Sequence, residues 1–110
     1  MAPVKHLVID QGTTFSFSIT VTDIQGNPIN LTGYTLTSQL RKSYNSNTYT
    51  AFVVTAPTPL TGEMTLSLTA TTTSSLKYGR YVYDVEIRSA SNEVTRVLEG
   101  IITVNPEVTK

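Results

Sequence analysis

Cysteine and tryptophan are absent from this chain of 110 residues, and histidine occurs once, at His6. Without cysteine there is no disulfide staple, no thiol nucleophile and no thiolate ligand, and the redox compartment leaves no trace in the sequence. A single imidazole is too few for a structural zinc site, which draws three or four nitrogen or sulfur ligands. His6 also lacks a serine or carboxylate at a spacing that would suggest a triad, so no catalytic role is assigned to it. Charge is scarce too. Charged residues make up 15% of the chain, and eight basic side chains balance eight acidic ones. The densest basic spot is Arg41-Lys42, and two charges do not make a phosphate track, which argues against nucleic acid or an anionic membrane as partner. Met1 to His6 contains no apolar signal region, and no hydrophobic run approaches membrane-spanning length, so a product made in the cytoplasm is expected.

What the chain does have is alternation. A length of 110 residues suits one domain with a two-layer core, here spanning about residues 4–106 of 1–110. From Gly79 onward, Tyr81, Tyr83, Val85 and Ile87 fall on one parity, while Arg80, Val82, Asp84, Glu86 and Arg88 fall on the other, mostly charged one. Successive strand side chains point to opposite faces, so this is a strand with one apolar side. Residues 13–22 show the same period, with Phe15, Phe17, Ile19 and Val21 against Thr14, Ser16, Ser18 and Thr20. Further strands are expected over 4–9, 34–42, 49–56, 63–69 and 93–104, with a Thr/Ser-rich crossover of one helical turn over 70–75. Turn chemistry separates them: Asp23 to Pro28, Thr61-Gly62, and a tight hairpin at Ser89 to Asn92. Leu76 shortly before Gly79, with Tyr81 just after it, resembles a tyrosine corner, in which a hydroxyl pins the preceding crossover to the sixth strand. The pattern predicts an all-β immunoglobulin-like Greek-key sandwich of about seven strands. Its core should hold Phe15, Phe17, Ile19, Val21, Leu36, Leu40, Met64, Leu66, Leu68, Tyr83, Val85 and Ile87.

Chemistry is harder to find. Asp84 and Glu86 share a strand face beside Arg88, a pattern better read as a solvated face than as an acid/base pair. Asp23 and Asn27 around Gly26 fall short of the ligand count of a calcium loop, and the glycines are scattered at turns rather than gathered in a phosphate loop. The expectation is therefore no enzyme, no cofactor and no metal. Surface features point to protein contacts instead. In the last strand Leu98, Ile102 and Val104 share one parity, yet Val97 and Ile101 are apolar on the other. Either the outer face there is covered by a partner, or a bulge near Gly100 shifts the register. Phe52 and Val54 lie in a strand ended by Pro57 and Pro59 and placed at an edge, where pairing with another chain is open. Of the six tyrosines, Tyr34, Tyr81 and Tyr83 are expected in the core, and Tyr44, Tyr49 and Tyr78 are candidate contacts.

The run Asp23-Ile24-Gln25-Gly26-Asn27-Pro28-Ile29-Asn30-Leu31-Thr32-Gly33-Tyr34 resembles the immunoglobulin-like modules of tailed-bacteriophage virion proteins. It is similar in particular to the family named for the N-terminal domain of the phage baseplate upper protein. Gly79-Arg80-Tyr81-Val82-Tyr83-Asp84-Val85 resembles the late strand of those modules, and the likeness runs over about residues 11–106. Thr95 to Gly100 and Val104 to Val108 are also similar to small structural proteins of cyanobacterial phages. The resemblance implies a non-enzymatic virion structural protein, made in the host cytoplasm and present in several copies or as a homo-oligomer. As an accessory subunit it would dock on the tail, baseplate or neck through contacts with other virion proteins. Two other functions fit the same residues: a capsid decoration protein, and an adhesion module that binds host-surface carbohydrate through tyrosine-bearing loops.

Overall fold

The computed structural model describes residues 4–23, 25–43, 45–57 and 59–107. The chain's regular structure is mostly β. In order come β1 (Leu7–Asp10), β2 (Phe15–Thr20), β3 (Thr35–Arg41), β4 (Thr50–Ala51), β5 (Val53–Thr55), β6 (Glu63–Leu68), a short helix α1 (Ala70–Ser75), β7 (Gly79–Arg88) and β8 (Val94–Asn105). They form two sheets, one ordered β1-β8-β7-β3-β4 and the other β2-β6-β5. All pairings are antiparallel except that β1 runs parallel to β8.

The alternating patterns become sheet faces. Leu7, Ile9, Leu40, Met64, Leu66, Leu68, Tyr83, Val85, Ile87, Leu98, Ile102 and Val104 point between the sheets and are buried. Leu31, Phe52 and Leu76 close the layer from the connections. Phe52 packs on Phe15, with ring centroids 5.9 Å apart. Among the described residues, the two buried polar side chains are both satisfied. Ser38 donates to the Asp84 carbonyl at 2.7 Å, and the Thr73 hydroxyl lies 2.8 Å from the Thr13 carbonyl, tying α1 to the start of β2. Thr69 caps α1 by accepting from the Thr72 N–H, the preferred role of a hydroxyl at a helix start.

The structure departs from the sequence expectation in three places. The strand expected over 49–56 is split: β4 pairs with β3 in the larger sheet, β5 pairs with β6 in the smaller, and Phe52 between them turns inward. Chain that changes sheets must pass through the core edge, and a large apolar residue fills the gap. The bulge in β8 lies at Val97, not at Gly100. Val85 faces Leu98 while Glu86 faces Arg96, so Val97 has no partner across the ladder. Phe15, Phe17, Ile19 and Leu36 are half-buried rather than fully buried. The first three lie on β2, which has a neighbour on one side only.

Candidate interaction surfaces

β7 is central to the larger sheet, and two tyrosines on its inner face reach out to backbone. The Tyr81 hydroxyl donates to the Lys77 carbonyl at 2.7 Å, bracing the turn between α1 and β7. Burial raises its pKa, partly opposed by that hydrogen bond. Tyr83 donates to the Lys5 carbonyl at 2.6 Å, and burial pushes its pKa up to about 12. Gly100 is the cross-strand partner of Tyr83. A Cβ there would sit 2.2 Å from the Lys5 carbonyl oxygen and 3.2 Å from the Tyr83 ring. Glycine is needed at that position for close approach, because the ring crosses β8 to hold the N-terminal segment.

The outer face of the larger sheet is built in rows across β3, β7 and β8. One row is Thr37, Glu86 and Arg96, the next is Gln39, Asp84 and Glu99, and the third is Arg41, Val82 and Ile101. Thr37, Gln39, Asp84, Glu86 and Arg96 of the first two rows, with Arg41, line a polar depression of about 410 Å³. Arg96 anchors it, 3.4 Å from Asp84 and 3.2 Å from Glu99. Its pKa is raised by the hydrogen bond to Glu99 and by the Asp84 charge. Arg41 donates to the Ser46 carbonyl at 2.6 Å and to Gln39 at 3.0 Å. Beside these rows Val8 is 58% and Ile101 37% exposed, which with Val82 makes a small apolar patch. His6 lies at its margin, its Nδ1 accepting the Ile101 N–H at 3.2 Å.

The second surface is a groove of about 660 Å³ between the sheets, open along β2. Phe17 and Ile19 form one wall, and Ile87, Val97 and Leu98 form the other. The bulge turns Val97 toward this groove.

The residues singled out from the sequence do not come together. Ile101 is on the outer patch, but Val97 is half-buried against the core, so the two do not share a face. Phe52 is buried and Val54 half-buried against the core, so their side chains face inward, while β4 and β5 each lie at the edge of a sheet as expected. Tyr49 is exposed under the Arg41 guanidinium, 5.0 Å from its ring centroid. Tyr78 is exposed at the far end beside Leu76 and Pro106, and Tyr44 lies outside the described residues. The Asp23 carboxylate accepts the N–H groups of Gln25 and Asn27 at 2.9 and 3.0 Å, which makes it a turn brace. No group of three or more potential metal ligands occurs among the described residues. Arg96 and Glu99 were not legible as partners of Asp84, since only the register of β7 and β8 brings them together.

No family model matches the chain, and no curated protein sequence matches it. Solved structures do. A mutant of the SrpA adhesin from Streptococcus sanguinis is similar with a TM-score of 0.53 at 11% identity, over 97% of this chain and 56% of that one. The Listeria monocytogenes internalin-like protein lmo2027 is similar with a TM-score of 0.48 at 20% identity, over 94% of this chain and 28% of that one. The chain thus spans about half or less of each of these proteins. At such identities the likeness concerns the fold alone, and the class it defines is a two-sheet, all-β domain.

Proposed function

We propose that this chain is an immunoglobulin-like Greek-key module that serves as a non-enzymatic structural subunit of a tailed-phage particle. It docks on larger tail, baseplate or neck proteins. The observation that carries this reading is the apolar patch of Val8, Val82 and Ile101 on the outer face of the larger sheet. An isolated antiparallel sheet places polar residues on its solvated side, so such a patch fits a docking contact. The topology supports the module class: the chain changes sheets after β1, β2, β4 and β6, the interleaving of a Greek key. The phage-like motif also has local reasons. Asp23 braces its turn, Gly26 and Gly33 take positive φ, and Leu31 enters the core. Quantitative mass spectrometry of purified particles tests the reading. Up to dozens of copies per particle are expected for a tail site, hundreds would make the chain a capsid decoration protein, and absence from particles would overturn the reading.

A second reading, an adhesion module for surface carbohydrate, is favoured by the polar depression around Asp84, Glu86 and Arg96. Carboxylates and guanidinium groups are suited to sugar hydroxyls, and one protein of similar fold is an adhesin. Binding of the isolated domain on a glycan array, lost on Glu86→Gln, would favour this reading over the first.

A further inference from the structure

Sheet edges need protection, because unpaired N–H and C=O groups invite another strand. β4 and β5 are short, and β5 is followed by Pro57. β2 is different. Its sequence FSFSIT is regular and contains neither charge nor proline. Among the described residues it pairs only with β6. The Val21 N–H donates to the Gly62 carbonyl on the β6 side, so the two-residue period of an antiparallel ladder aims the backbone groups of Ser16, Ser18 and Thr20 away from β6. Directly beyond that edge lies the apolar groove, with Phe17 and Ile19 half-exposed on one wall and Val97 and Leu98 on the other.

We propose that β2 and this groove receive an extended segment of another protein, added as an antiparallel strand with apolar side chains at alternate positions. The outward backbone groups of β2 would hydrogen-bond to it, and its inward side chains would fill the space facing Val97, the mode known as strand addition. Charge gives the segment a direction. Lys5 and Glu93 both line the groove, and among the described residues neither has an ion pair. Lys5 is level with Glu99 through its N–H bond to that carbonyl. Glu93 is thus about 20 Å away along β8 at the usual strand rise. β2 runs from the Lys5 end toward the Glu93 end, where Val21 and Ile29 meet. An antiparallel segment therefore carries a basic residue at its start, opposite Glu93, and an acidic one at its end, opposite Lys5. This inference deepens the docking-module reading and rests on it, adding a second contact surface, separate from the outer patch, and what binds there.

The test uses the whole chain and a capped peptide, Lys-Thr-Val-Thr-Val-Thr-Val-Thr-Asp, with a second peptide in which the terminal Lys and Asp are exchanged. The first peptide is expected to slow hydrogen exchange at the Ser16, Ser18 and Thr20 amides. The second should bind about tenfold more weakly, as two exposed charge pairs are reversed. Lys5→Glu combined with Glu93→Lys should invert that preference, an outcome that general destabilisation does not produce. Ser18→Pro, which removes one outward N–H, should abolish binding with the melting transition retained. Unchanged exchange at these amides with both peptides, or equal affinity for the two, overturns the proposal. So does a dimer of the chain alone that protects the same amides, since the occupant would then be a second copy. Absence of the chain from phage particles would overturn the docking-subunit reading while leaving the peptide result standing, so the two failures are distinguishable.

Discussion

Tyr81 and Tyr83 sit two residues apart on one strand, and each directs its hydroxyl to backbone outside its own sheet ladder. Tyr81→Phe keeps the ring and removes only the bond to Lys77, so a loss of about 0.5–1.5 kcal/mol in chemical denaturation is expected. A neutral result would show that the bond does not brace the turn. Tyr83 also has a pH signature. Its folded pKa lies near 12, above the usual value near 10, so the folded state holds the proton more tightly than the unfolded chain does. The stabilisation is therefore complete below about pH 10 and is lost as pH rises toward about 12. Denaturation midpoints should fall over that window, and Tyr83→Phe should flatten the fall. An equally steep fall in the variant would assign the alkaline transition to another group.

Among the elements, β2 and β6 share one sheet but differ in exposure. Leu66 on β6 is 0% exposed, whereas its partner across the ladder, Phe17, is half-buried beside the groove. β6 has a strand on each side and β2 has one. Leu66→Ala is thus expected to cost about 2–5 kcal/mol as a cavity in close-packed core. Phe17→Ala should cost less than the roughly 3–5 kcal/mol of a fully buried phenylalanine, because solvent already reaches part of the ring. Urea unfolding of both variants checks the ranking. A larger loss at Phe17 would mean that the β2 face is sealed in solution. β8 shows another feature of single elements: one unpaired residue, Val97, changes sides while its neighbours keep their faces.

For the molecule as a whole, low charge and zero net charge leave little long-range repulsion to hold copies or partners apart. What distinguishes the surfaces is apolar exposure, and Val97 and Ile101 now separate cleanly. Ile101→Lys should leave the melting temperature nearly unchanged, since the side chain lies on the outer patch, and should weaken any contact made there. Val97→Lys should destabilise the fold, because it brings a charge to a half-buried groove wall. Thermal melts of the two variants decide this. Similar losses in both would mean that the two residues share one environment after all.

The two-residue period of the sequence by itself determined which stretches extend and which side chains face inward, because that period is a property of each strand alone. Turn residues marked most of the boundaries for the same local reason, down to the Asp23 brace and the positive-φ Asn92 in the hairpin after β7. Tyr81 could be read as a brace because its acceptor is only four residues away. Alternation names a face, however, and not a neighbour. Only the tertiary structure decided that the chain changes sheets at Phe52, that Arg96 meets Asp84, and that Gly100 is bare so that Tyr83 can reach Lys5. It also decided that β2 is left with an open edge. Each of these depends on which distant strand lies alongside, and that is settled by the packing of the whole core rather than by the pattern of any one segment.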